Sequence, residues 1–529
     1  MKRFPLRRLS HIVRVLAVGV AMGLLVLIAP EAATASDNLV PISGAGSTWS
    51  QVAIDAWRAD VRPSGLTVNY AGTGSTDGRA QYIQKTVDFA VSEIPFQNPP
   101  EPGQQAENPS RPYAYLPIVA GGTSFMYHLT VGGELVRNLK LSSGTLAKIF
   151  TGQITRWSDP QITKENGRRL PDIPIIPVLR SDGAGASAQF SRYLSKTEPD
   201  IYCPWARSKL HQPSNWCGFT SFYPSFGNSK GQVGSNGVAN YIAASYGDGA
   251  IGYVEYAYAK RLNYPVASVL NQAKYFTQPT ASNVAVALTR AKIDPKTLVQ
   301  NLDGVYTNPD KRTYPLSSYS YMIVPTSTAE PFNTDKGKSL STFINYFLCA
   351  GQQKAEILGY SPLPENLVTA GFKQVARIPG GVKSPALSSC NNPALQILKT
   401  APYPDECSKL GAPASCVPGS GGSGDPNDKN GPGTDGTGTT QNGTTTGTGT
   451  TTNGDGSGAV DEFGQPIASG TTTGAMAPAV ASAVTVGEQR QQFIILGLIA
   501  AAAVLAAVLT PPLLARRHRR RRGTAPQQG

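Results

Sequence analysis

Cysteine and histidine are scarce in this chain, and their distribution excludes several classes at once. Among 529 residues there are six cysteines and four histidines, and nothing before Cys203 is a cysteine. No CxxC pair occurs, and away from the two termini only His128 and His211 remain. Such scarcity disfavours a metal site built from thiolates and imidazoles, and no metal or organic cofactor is implied. Charge is also sparse, at 15% of residues, and the formal +13 is concentrated at the ends. Five basic residues and one acid fall in the first 35 positions and six arginines in the last 14, leaving 36 basic against 33 acidic residues between them. A body near +3 is not an electrostatic match for nucleic acid.

The ends themselves read as targeting and anchoring signals. Residues 1–35 have a basic start, an apolar run from Val15 to Ile28 and the small residues Ala33-Thr34-Ala35, the pattern of a cleaved secretory signal. Residues 493–515, FIILGLIAAAAVLAAVLTPPLLA, carry no charge and are long enough for a hydrocarbon core of about 30 Å. The arginine-rich tail, 516–529, follows directly, so the expected topology is a single pass at the cell membrane. The N-terminal domain would lie outside the cell and the C-terminus in the cytoplasm. Between them, 417–490 collapses to Gly, Thr, Ser, Asp and Asn, which cannot bury enough apolar surface to order itself. Such a tether of roughly 70 residues has a mean reach on the order of 45–50 Å; a glycosylated stalk is the other reading of its threonines.

The folding part is then 36–416. All six cysteines, Cys203, Cys217, Cys349, Cys390, Cys407 and Cys416, lie in it, an even number outside the cell. This favours disulfides, and we expect neighbours to pair, although six cysteines allow fifteen connectivities. Strand-like LTVNYAG, helical GRAQYIQKTV and strand-like DFAVSE give a βαβ rhythm. IPIIPVLR leads into the amphipathic ASAQFSRYL, and NGVANYIAASYG precedes the strand-like GAIGYVEYAYA. The fold class is α/β, with ligand sites expected at the carboxyl ends of strands.

Three loops share one design. GAGSTWSQ (44–51), GTGSTDGRAQ (72–81) and RSDGAGASAQF (180–190) each place small residues ahead of a helix. First-turn N–H groups have no intrahelical acceptor, and the helix dipole favours an anion there. Ser47, Thr48, Ser75 and Thr76 can add hydroxyl donors. None of the three carries the GxGxxG or GxxxxGK[ST] fingerprint of nucleotide loops. GNSKG (227–231) formally matches the hydrolase elbow GxSxG, but its flanks make a poor strand and a poor helix, so we read the chain as no enzyme.

In their order these stretches resemble the PstS family, the phosphate-binding substrate proteins of ABC transporters. The matching segments are GAGSTW, VNYAGTGSTDGRAQ, TVDFAVSE, LRSDGAGASAQF and GAIGYVEYAYA. The resemblance implies a type II periplasmic-binding fold, two α/β lobes joined by a hinge. One lobe would comprise 37–119 and 318–416 and the other 120–316, with crossings near LPIVAGGTSFMYHL and TYPLSSYSYMIVP. It implies that Thr48, the N–H of Trp49, and Ser75 bind oxyanion oxygens, and that Arg180, held by Asp182, supplies the charge. The N–H groups of Gly185 and Ala186 would complete the cage, with Ser47 and Thr76 in support. An acceptor carboxylate would take the proton of a partly ionised anion; here Glu93 stands where the family has aspartate. Ala184 and Ala186 stand where the family has Ser and Thr. The implied partners are phosphate or a related oxyanion and ABC permease subunits; the alternative is a surface-displayed binding or adhesion module of the same fold with altered or lost phosphate affinity.

Overall fold

The computed structural model describes residues 39–413 together with Cys416. The leader (1–35), the tether (417–490), the apolar segment (493–515) and the basic tail (516–529) lie outside the described residues. Among those described, no helix is long and apolar enough to cross a membrane.

Eight strands form the main sheet: β1 (Ile42–Gly46), β2 (Val68–Ala71), β3 (Phe89–Ser92), β4 (Tyr113–Tyr127), β5 (Ile176–Arg180), β6 (Lys230–Gln232), β7 (Ala250–Glu255) and β8 (Ser317–Pro325). Their spatial order is β2-β1-β3-β8-β4-β7-β5-β6. β1 lies parallel to β2 and β3, and β5 lies parallel to β6 and β7. The two parallel groups are joined by β8 and β4, which run antiparallel to each other and to their outer neighbours. β4 serves both groups: Tyr113 to Gly122 pair with β8, while Thr123 to Tyr127 pair with β7. All but its first residue are buried, which is why its sequence is a continuous apolar run instead of an alternating one. The stretches LPIVAGGTSFMYHL and TYPLSSYSYMIVP fall on β4 and β8.

Five helices border the strand ends: α1 (Gln51–Val61), α2 (Ser75–Ile83), α3 (Gly185–Thr197), α4 (Gly234–Ala243) and α5 (Tyr256–Arg261). α1 buries Ala53, Ile54, Trp57 and Val61, one face at helical spacing. Trp57 stacks on Phe347 at 5.0 Å between ring centroids and donates its indole N–H to the carbonyl of Gly351 at 3.0 Å. α3 buries Phe190, Tyr193 and Leu194 as its periodicity predicts, with Phe190 among Phe125, Phe150, Tyr223 and Tyr253. This aromatic packing fixes the helix whose first turn faces the candidate site.

Three expectations need correction. GAIGYVEYAYA is not strand throughout: β7 ends at Glu255, whose carboxylate accepts the N–H of Ala257 at 2.5 Å and caps α5. The glycines of the first loop do not lie in the turn that leads into the helix but at the end of β1, where Gly44 and Gly46 pair with Phe89 and Val91. α1 begins only at Gln51, so Thr48 and Trp49 sit in a turn that precedes the helix. Finally, the last described stretch, grouped by sequence with the first lobe, packs against residues assigned to the second. Lys140 Nζ donates to the carbonyl of Cys407 at 2.6 Å, and the N–H of Leu410 donates to the carbonyl of Lys274 at 2.9 Å. The three disulfides are Cys203–Cys217, Cys349–Cys390 and Cys407–Cys416, the nearest-neighbour pairing.

Candidate functional site

The carboxyl ends of β1, β3 and β5 point at one place, and the loops after them meet there. Glu93 follows β3 directly and is 1% exposed, so it is no solvated strand end. Its Oε1 accepts the hydroxyls of Ser47 and, at 2.9 Å, Ser320. Its Oε2 accepts the hydroxyl of Ser75 at 2.6 Å. Its backbone carbonyl takes the side-chain amides of Gln189 at 2.8 Å and Gln300 at 3.3 Å. A carboxylate has about four acceptor positions, so one, on Oε2, is left over. That oxygen lies against Gly185: a Cβ there would come within 2.0 Å of Oε2, which only glycine avoids.

Gly185 opens α3, and its N–H donates to Ser75 Oγ at 3.1 Å. The N-cap position is Ala184, which offers no side-chain cap, and its own N–H is engaged by the carbonyl of Ser221 at 2.9 Å. Neither nearby serine replaces the hydroxyls that Ala184 and Ala186 lack. Ser187 Oγ turns to the phenol of Tyr253 at 2.9 Å, and Ser181 is exposed. Thr76 serves the scaffold, donating its N–H to the carbonyl of Gly183 at 3.1 Å and joining α2 to the α3 loop.

Arg180 ends β5 with its side chain 2% exposed, so its ion pair with Asp182 is buried and no surface decoration. Nε donates to Asp182 Oδ1 at 2.7 Å and Nη2 to Oδ2, a bidentate fork that fixes the guanidinium plane. Burial pushes the Asp182 carboxyl up, but the guanidinium and the N–H of Gly234 outweigh it and hold it below the usual carboxylate range. Nη1 is directed at Ser235 Oγ, 3.3 Å away.

Ser235, which the sequence pattern does not single out, lies in the first turn of α4. Its N–H donates to Thr48 Oγ1 at 3.0 Å, and the two hydroxyls are 3.1 Å apart. Thr48 thus touches the second strand group directly. GQVGSN lacks the loop pattern of the other three segments, so only its position beside Arg180 reveals it. Ser320 escapes sequence reasoning for a similar reason, since SSYSY reads as plain strand. Trp49 is 1% exposed and packs on Gly121, where a Cβ would approach its ring to 2.6 Å. Among the described residues, the N–H groups of Thr48 and Trp49 have no protein acceptor. The arrangement therefore gathers two free turn N–H groups, a helix N-terminus and a buried guanidinium around one carboxylate. Ser229 of GNSKG accepts the N–H of Phe226 at 3.0 Å, a turn role with no elbow geometry.

Beneath Trp49 lies a second buried carboxyl, Glu255, whose Oε1 has no hydrogen-bond partner among the described residues. Burial drives it far above the usual carboxylate range, against the opposing pull of the Ala257 and Tyr256 N–H groups. A raised folded value means the folded state keeps the proton. Its contribution to stability is full below the unfolded value of about 4.3 and is lost as pH rises from there through the folded value. Glu255→Gln should remove that loss. Urea midpoints measured at pH 5 and pH 8 should show the variant gaining on the parent as pH rises; parallel midpoints would show the carboxyl ionised in the fold.

The fold and the site define a class: an α/β protein whose strand-end loops gather N–H donors, a buried guanidinium and a buried carboxylate. A PBP superfamily domain model matches residues 29–350. The phosphate-binding protein PstS of Pasteurella multocida is 32% identical over 334 residues, covering 62% of this chain and 87% of that protein. PstS of Haemophilus influenzae is 32% identical over 334 residues, 62% of this chain and 90% of that one. PstS 2 of Mycobacterium tuberculosis is 29% identical over 314 residues, 57% and 77% respectively. The chain belongs to the PBP superfamily and, within it, to the PstS family.

Proposed function

We propose that this protein is an extracytoplasmic solute-binding protein for phosphate or a closely related oxyanion, feeding or sensing for an ABC transporter. The observation that carries the reading is the occupancy of Glu93. Three serine hydroxyls fill three of its acceptor positions, and the remaining one, on Oε2, faces the first turn of α3. A protonated oxyanion can donate its O–H there while its other oxygens take the N–H groups of Thr48, Trp49 and Ala186 and the Arg180 guanidinium. A fully ionised anion such as sulfate has no hydrogen to give and would oppose the carboxylate instead. Asp182 fixes Arg180; Ser75 bridges Glu93 and Gly185, donating its hydroxyl to the carboxylate and accepting the N–H of Gly185.

The names of the relatives, phosphate-binding proteins, support this ligand class. The two parallel strand groups linked by β4 and β8 support a two-lobed, hinged body that closes on the ligand. The charge-free segment 493–515 and the arginines after it support anchoring at the cell membrane with the binding domain outside. The absence of hydroxyls at Ala184 and Ala186 supports a second reading, a displayed module of the same fold with weakened phosphate affinity.

Titration calorimetry of the full chain decides between them. The first reading expects one saturable phosphate site per chain, with sulfate weaker by about 10⁴-fold because a site built for a ligand O–H rejects analogues that lack it. Absence of heat, and of retention in equilibrium dialysis, at millimolar phosphate would overturn it in favour of the second.

A further inference from the structure

The turn 47–50 is gripped by three phenols that neither the motif pattern nor the relatives' names assign. Tyr70 on β2 donates its hydroxyl to the carbonyl of Ser47 at 2.8 Å. Tyr258 on α5 donates to the carbonyl of Thr48 at 2.5 Å, and Tyr360 donates to the carbonyl of Trp49 at 2.7 Å. All three are buried, and burial raises each phenol's pKa, so each stays a protonated donor.

The pairing of these bonds with peptide units is what matters. The carbonyl of Ser47 and the N–H of Thr48 belong to one peptide group. The carbonyl of Thr48 and the N–H of Trp49 belong to the next. Those two N–H groups are the ones without a protein acceptor among the described residues. A donor on the carbonyl side of a peptide fixes its plane and polarises the N–H on the other side, since hydrogen bonds in a chain strengthen one another at low dielectric. The third peptide differs: the N–H of Ser50 donates to Ser47 Oγ at 3.3 Å and so is spent inside the protein.

The geometry points to Tyr70 and Tyr258 as positioning residues that aim and strengthen the Thr48 and Trp49 N–H donors of the anion cage. Tyr258 does so from the opposite strand group: with Ser235 it brings three contacts to Thr48, two to the hydroxyl and one to the carbonyl. The N–H of Trp49 therefore reaches full donor strength only when α5 and the turn 47–50 are together. This inference rests on the oxyanion-binding reading of the Glu93 cage.

Tyr360→Phe is the internal control. It removes an equally buried hydroxyl from the same turn, but from a peptide whose N–H does not face the cage. In calorimetry of the full chain, Tyr70→Phe and Tyr258→Phe should each weaken phosphate binding about ten-fold, the scale of one lost hydrogen bond. Tyr360→Phe should lose similar thermal stability and change affinity less than about three-fold, well under one hydrogen bond. Equal loss in all three, or none in the first two, would overturn the proposal. A ligand-free arm keeps the test independent of whether phosphate binds. Trp49 is the one tryptophan preceded by threonine, so carbonyl-labelled Thr with ¹⁵N-labelled Trp isolates its amide signal. Tyr258→Phe should move that amide proton upfield and Tyr360→Phe should not; an unmoved signal in Tyr258→Phe sinks the idea. If Tyr258→Phe shows the shift but the parent binds no phosphate, the oxyanion reading fails and the positioning of the amide stands.

Discussion

Replacing Arg180 by methionine should abolish oxyanion binding, the largest single effect expected in this protein. Among the described residues, the Arg180 guanidinium is the buried cation that the structure brings to the Glu93 cage, and its plane is set by the fork to Asp182. Removing one partner of a buried pair leaves the other charge uncompensated and costs about 3–5 kcal/mol. Part of that loss will appear as stability, because Asp182 also accepts the N–H of Gly234 and helps hold α4. Arg180→Lys separates the contributions. Lysine keeps the charge but cannot hold the fork and reach toward Ser235 together. We expect Arg180→Lys to fold and to bind phosphate about 10–100-fold more weakly, and Arg180→Met to lose at least about a thousand-fold. Calorimetry beside thermal melts checks both; a folded Arg180→Met protein with near-parental affinity would remove Arg180 from the site.

The second large effect is a gain. Ala184→Ser and Ala186→Ser, which restore hydroxyls at the start of α3, should each tighten phosphate binding. A hydrogen bond to a charged group contributes roughly 1.5–3 kcal/mol, so the pair together could reach about 10² to 10⁴-fold. Neighbouring positions in one turn are not independent, so the double variant should fall short of the product of the singles. The two sites differ in context. Ala184 has extended backbone at the N-cap, φ −114° and ψ 134°, where serine also caps the helix and adds about 1 kcal/mol of stability. Ala186 is 1% exposed and packs in the core, so a larger threonine would risk overpacking by about 1–3 kcal/mol. Titration of the singles and the double, with melts, is the measurement. A folded double variant that binds no tighter would show that this cage relies on backbone donors alone.

Much of the site is legible without any knowledge of the fold. Ser75, Arg180, Asp182 and Gly185 stand out because they lie in loops with small residues before helices, while Glu93 and the individual roles of these residues come only from the resemblance to the PstS family. The same logic fails at Ser235 and Ser320, which sit in stretches with no distinguishing pattern. It also fails at Tyr70, Tyr258 and Tyr360, which read as ordinary core aromatics. Their roles depend on partners 187, 227, 23, 210 and 311 residues away in sequence, distances over which no spacing rule operates.

Taken alone, the sequence determined the class of secondary structure and the donor types available to an anion. These come from periodicity, turn chemistry and hydrogen-bonding capacity, all of which are local. Only the tertiary structure decided that three serines converge on Glu93, that Ser181 and Ser187 turn away from the cage, and that Gly44 and Gly46 pair in the sheet. It also decided that the segment around Cys407 crosses to Lys140 and Lys274. The physical reason is that burial and pairing belong to the packed chain: whether a hydroxyl faces a ligand or a carbonyl is set by which distant strand lies beside it.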